Sequence, residues 1–162
     1  MSKIIIFGNS GSGKSTLARH LSETNDLAYL DLDTLAWKAT FPPERQKIEL
    51  SWDKIANFIS INKSWVIEGC YTDLLELIKD ESTEIVFMNL PIDLCVSNAK
   101  ARPWEPHKYP SKQAQDENLY MLINWISQYS ERKDVFSYDA HIKFYNEYKG
   151  KKQMFTRNET HT

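Results

Sequence analysis

Short apolar runs alternate with stretches of helical periodicity along most of this chain. The first, Lys3-Ile4-Ile5-Ile6-Phe7, is continuously apolar, the pattern of a strand buried on both faces. Comparable runs predict strands at 28–30, 65–67, 84–90 and 152–155. Between them, helical spacing predicts helices over 14–24, 51–62, 72–80, 92–101, 115–131 and 137–148. Trp52, Ile55, Phe58 and Ile59 recur at helical spacing and read as core. Phe144, Tyr145 and Tyr148 read the same way near the C-terminus. Strands separated by helices define a three-layer α/β domain: a five-stranded parallel sheet with helices on both faces. The length of 162 residues leaves room for one domain, placed at 1–157, with a polar tail at 158–162 expected to fray.

Between the first strand and the first helix stands Gly8-Asn9-Ser10-Gly11-Ser12-Gly13-Lys14-Ser15, a complete G-x-x-x-x-G-K-[ST] phosphate loop. Glycines at 8, 11 and 13 let the backbone wrap closely enough to aim successive N–H groups at a polyphosphate. The helix starting near Lys14 adds unpaired amides and the positive end of its dipole. Lys14 is expected to reach the β- and γ-phosphates, and the Ser15 hydroxyl to ligate Mg²⁺. Gly8, Asn9, Ser10, Gly11, Ser12, Gly13, Lys14, Ser15 and Thr16 are therefore the expected binding set for a nucleoside triphosphate, read as ATP with Mg²⁺.

Charge and composition narrow the partners. A formal net charge of −2 gives no global attraction to nucleic acid or to an anionic membrane. No apolar stretch approaches the length of a membrane span, and the first apolar run is too short for a signal peptide. Cys70 and Cys95 share no short motif and read as buried free thiols, in keeping with a reducing cytoplasm. His20, His107, His141 and His161 have no metal-ligand spacing, which argues against a structural zinc. Of the five tryptophans, Trp52 and Trp65 read as core, while Trp37, Trp104 and Trp125 lie in segments that border the expected ligand.

Three further features separate the possible phosphate-loop chemistries. No N-K-x-D guanine motif is present. The second strand leads into Asp31-Leu32-Asp33, two carboxylates on alternate residues. Residues 99–113 form a proline-containing basic connector carrying Lys100, Arg102, His107, Lys108 and Lys112. Asp31 and Asp33 admit two readings: ligand groups at the carboxyl end of a strand, or caps of the helix that follows.

The combination resembles the nucleoside-monophosphate-kinase and shikimate-kinase branch of phosphate-loop proteins. More narrowly it resembles a bacterial adenylate-kinase-related, DNA-topology-modulation-like group. The matching stretches are residues 8–17, 30–38 (Leu-Asp-Leu-Asp-Thr-Leu-Ala-Trp-Lys), 65–71 (Trp-Val-Ile-Glu-Gly-Cys-Tyr) and 122–126 (Leu-Ile-Asn-Trp-Ile). The resemblance implies phosphotransfer from ATP to a small acceptor bearing a hydroxyl or phosphate. It implies Asp31 as a water-mediated Mg²⁺ ligand, Asp33 as the carboxylate facing the acceptor hydroxyl, and a lid over 99–113 supplying Arg102 to the phosphates.

Two departures from the pattern stand out. Thr72 occupies the place of the arginine that would clamp an acceptor phosphate, leaving Arg45 as either a substitute clamp or a solvated loop charge. Only Arg102 of the lid arginines is present, so Lys100, Lys108 or Arg132 are candidates to share its role. The acceptor's identity and the oligomeric state stay open. The competing reading is a nucleotide-binding regulatory or DNA-associated ATPase with no metabolite acceptor.

Overall fold

The computed structural model describes residues 1–40 and 42–158. Its five strands are β1 (Lys3–Gly8), β2 (Ala28–Asp31), β3 (Trp65–Gly69), β4 (Glu84–Met88) and β5 (Lys151–Phe155). All pair in parallel, in the order β2-β3-β1-β4-β5. The helices are α1 (Lys14–Asn25), α2 (Ile48–Ile61), α3 (Thr72–Ile78), α4 (Ile92–Ala101), α5 (Lys112–Ser127) and α6 (Tyr138–Glu147). This is the three-layer α/β architecture that the alternating pattern predicts.

The period of two along β1 builds both layers at once. Ile5 and Phe7 enter one core with Ile55 of α2, Leu74, Leu75 and Ile78 of α3, and Phe144 of α6. Ile4 and Ile6 enter the other, with Leu17 and Ala18 of α1, Cys95 and Ala99 of α4, and Ile126 of α5. The same alternation on β3 puts Trp65 and Ile67 in the first core and Val66 in the second. Glu68, next along the strand, therefore turns its carboxylate toward α1. Trp65 is fully buried and Trp52 packs against the first core, as their spacing predicts.

Element ends differ from the pattern where local chemistry intervenes. β4 stops at Met88, short of Leu90, because Met88 pairs with Gly8 and β1 ends there. α2 begins at Ile48, ahead of the periodic residues. α5 begins at Lys112 because the Ser111 hydroxyl accepts the Ala114 N–H at 3.0 Å, an N-cap. The Ser137 hydroxyl caps α6 in the same way, at 3.1 Å from the Ala140 nitrogen. The connector between α4 and α5 is thereby reduced to residues 102–111.

Candidate active site

β1 is the central strand, with successive crossovers leaving to either side of it, and its carboxyl end opens into the phosphate loop. That is the crevice where open α/β sheets bind ligands. Gly11 (φ 79°) and Gly13 (φ 88°) take left-handed backbone that L side chains rarely adopt. A Cβ at Gly11 would also stand 2.4 Å from the Cys95 carbonyl oxygen.

Side chains behind the loop hold its shape. Asn9 is buried and donates its amide to the Ile126 carbonyl at 3.2 Å, so only its backbone faces the ligand side. Asn98 donates to the Gly11 carbonyl at 2.8 Å. Asn158, at the start of the stretch expected to fray, donates to the Ser12 carbonyl at 3.1 Å and accepts from Asn98 at 2.8 Å. The rest of that tail, 159–162, lies outside the described residues. Lys14 folds back to give its ammonium to the Asn9 carbonyl at 2.8 Å.

Two cavities meet at this loop. The larger, of about 670 Å³, is bordered by Ser10, Gly11, Gly13, Lys14, Ser15 and Thr16, and also by Asp33, Glu68 and Arg102. Trp37, Trp104 and Trp125 border it too, as their positions in the sequence predict. The smaller, of about 350 Å³, shares Gly11, Gly13, Thr16 and Arg102 and adds Leu17, Met88, Phe155 and Asn158. Gly8, Asn9 and Ser12 border neither.

The carboxylates divide into two groups. Glu68, only 2% exposed, accepts the Ser15 hydroxyl at 2.5 Å and the Tyr29 hydroxyl at 2.8 Å on one oxygen. Asp31 caps the 3-10 turn Leu32–Thr34, accepting the Asp33 N–H at 2.9 Å. Burial, then the charges of Glu68 and Asp33, push its carboxyl up to about 7. Asp31 thus caps the turn, and the carboxylate touching Ser15 is Glu68. Asp33 instead reaches into the large cavity with nearly half its side chain exposed. The Tyr71 hydroxyl donates to one of its oxygens, and the Trp37 indole N–H donates to the Tyr71 oxygen at 2.8 Å. Burial, then Cys70 and Asp33, hold the Tyr71 phenol far above its ordinary range, which keeps it a donor.

The connector supplies residues 102–108 to the lining of this cavity. Glu105 is its hub, facing Arg102 at 3.5 Å and both His107 and Lys108 at 3.7 Å. Lys108 also stands 3.7 Å from Asp33. Lys100 is exposed and borders neither cavity. Arg132 lays its guanidinium 3.6 Å from the centroid of Trp125, donates to the Trp125 carbonyl at 2.5 Å and faces Asp134 at 3.4 Å.

Arg45 is not a solvated loop charge. Its guanidinium donates to both Asp73 oxygens at 3.1 and 3.3 Å and to the Ala36 carbonyl at 3.2 Å. It lies against the rings of Tyr71, Phe136 and Trp37, at 4.8, 5.4 and 5.9 Å. Cys70 is also not fully inside: it borders the large cavity, while burial pushes its thiol up to about 12. Both cysteines are free.

No family model matches the chain, and no curated protein matches it by sequence. Solved structures do match. Shikimate kinase from Bacteroides thetaiotaomicron superimposes with a TM-score of 0.55 at 18% identity, over 99% of this chain and 89% of that one. Shikimate kinase from Aquifex aeolicus gives 0.53 at 18%, over 97% and 88%. Shikimate kinase from Acinetobacter baumannii, in complex with shikimate, gives 0.52 at 16%, over 99% and 86%. Sheet order, loop and superposition together define the phosphate-loop NTPase fold, in the form that shikimate kinases have.

Proposed function

We propose that the chain is a small-molecule kinase, transferring the γ-phosphoryl of ATP to an acceptor hydroxyl. The observation that carries this reading is Asp33: a half-exposed carboxylate, aimed by Tyr71, sharing one cavity with Lys14 and Ser15. The cavity beside Asp33, walled by aromatic rings, has room for a molecule far larger than the single water an ATPase would activate there. The smaller cavity, between Leu17, Met88, Phe155 and Arg102, suits the nucleoside end of ATP. The loop amides and Lys14 hold its phosphates.

The acceptor hydroxyl gives its proton to Asp33 as its oxygen bonds to the γ-phosphorus. The bond from that phosphorus to the β–γ bridging oxygen breaks, and ADP leaves with the electron pair. Lys14 and Arg102 carry the charge that develops on the phosphoryl oxygens. Arg102 must exchange Glu105 for phosphate to do so.

The donor set around Ser15 fits Mg²⁺. It is oxygen only, with Glu68 on the Ser15 hydroxyl and Asp31 behind it. Among the described residues no group of three or more His, Cys, Asp or Glu could hold an ion by itself. Phosphate oxygens and water must therefore complete the shell, the usual habit of Mg²⁺. When bound, the ion neutralises phosphate charge. The likeness to the DNA-topology-modulation-like group belongs to this proposal and adds no acceptor.

A panel of nucleosides, nucleoside monophosphates and hydroxy acids tests the reading through ADP release. One acceptor should raise ADP release about tenfold or more over the acceptor-free rate. A rate indifferent to every acceptor would return the chain to the ATPase reading.

A further inference from the structure

We infer that the acceptor is an uncharged molecule carrying a flat unsaturated ring beside its reactive hydroxyl. This rests on the kinase reading. The wall around Asp33 is aromatic: Trp37, Tyr71, Trp104, Trp125 and Phe136 all border the large cavity. Four of these rings form one continuous cluster. Phe136 lies 5.3 Å from Trp125, 5.4 Å from Tyr71 and 6.5 Å from Trp37, the last nearly parallel at 8°. Such walls stack unsaturated rings of any kind and offer little to an aliphatic chain of hydroxyls.

Apart from Arg19 of α1 and the loop's Lys14, the cations that border the large cavity already face carboxylates. Arg45 is locked onto Asp73 and the Ala36 carbonyl beside the rings, and does not border the cavity. Lys108 sits between Glu105 and Asp33, while Arg102 and His107 face Glu105. Arg132 faces Asp134 and too lies outside the cavity lining, although neither its Nε nor its Nη2 has a hydrogen-bond partner among the described residues. Asp33 and Glu68 add negative charge to the same space. Between the rings and the connector, a carboxylate or phosphate on the acceptor would have to break an existing ion pair or lie beside these carboxylates. An uncharged ring meets neither cost.

The test uses the full chain with Mg²⁺ and a saturating non-hydrolysable ATP analogue, followed by intrinsic tryptophan emission. The ligands are a purine and a pyrimidine ribonucleoside, their 5′-monophosphates, a cyclic hydroxy acid and a hexose. ADP formation with ATP is measured on the same panel. At least one nucleoside should bind about tenfold or more tightly than its monophosphate, the hydroxy acid or the hexose. Trp104→Leu, on the exposed connector, should weaken that binding about tenfold, and Trp104→Phe should restore most of it. Tighter binding of an anion, equal binding of the hexose, or no saturable nucleoside binding would overturn the inference. Nucleoside binding without its phosphorylation would leave the ring site standing and remove the kinase reading. Phosphorylation of an anionic acceptor would do the reverse, and would point to Arg19.

Discussion

At the residue scale, the proposed function separates the groups around the phosphate loop, assigned to ATP, from Asp33, assigned to the acceptor. Lys14→Ala should lower turnover by roughly 10²–10³-fold, the worth of one charge placed at the transferring group. Stability should move little, since in the free protein Lys14 bonds only a loop carbonyl. Glu68→Gln keeps an acceptor for the Ser15 and Tyr29 hydroxyls but removes the charge behind the metal ligand. The Mg²⁺ concentration for half-maximal rate should rise by about tenfold or more, with ATP-analogue affinity measured alongside. An unchanged Mg²⁺ requirement would make Glu68 a structural acceptor only. The phosphate loop was legible in the sequence because its chemistry is local: glycines, lysine and serine at fixed spacing. Glu68 could have been found as the one charge in the run Trp-Val-Ile-Glu-Gly, where only a specific partner justifies burial. Tyr71, which aims Asp33, and Asn158, which braces the loop, depend on pairings 38 and 146 residues apart. No local pattern encodes those.

At the element scale, strand and helix order was readable from periodicity, while the ends were not. β4 ends where its partner strand ends, and α5 begins where a serine caps it. Both are facts about neighbours. The connector at 102–111 brings residues 102–108 to the large cavity. It already reaches Asp33 through Lys108, and its charges converge on Glu105. The proposed phosphotransfer requires Arg102 to exchange Glu105 for phosphate. Hydrogen exchange across the connector should therefore slow when an ATP analogue and acceptor bind together, as water is excluded from the site. Equal protection with and without ligands would make the connector a fixed wall.

At the scale of the whole molecule, the two layers meet the site through buried polar links, and one of them ties stability to pH. His141 is fully buried, bonding the Tyr129 hydroxyl at 2.6 Å and the Cys70 carbonyl at 2.8 Å. Burial lowers its pKa from 6.5 to about 4. Between those values the unfolded chain binds the extra proton and the folded chain does not. The contribution of His141 to stability should thus fall as the pH drops from about 6.5 to about 4, by an amount on the order of 2–3 kcal/mol, against an opposite trend from the raised carboxyl of Asp31. Urea unfolding across that range should show the natural chain losing stability relative to His141→Gln as the pH falls. The same dependence in both would assign the loss to other groups. None of this decides what the molecule does with ATP. The most direct measurement is the fate of the γ-phosphoryl group, followed by phosphorus NMR with ATP, Mg²⁺ and the best acceptor, for the natural chain and for Asp33→Asn. The natural chain should convert γ-phosphate into a phosphoester on the acceptor. The variant should bind ATP normally and transfer roughly 10²–10⁴-fold more slowly. Release of inorganic phosphate alone, or an Asp33→Asn rate equal to that of the natural chain, would contradict the account.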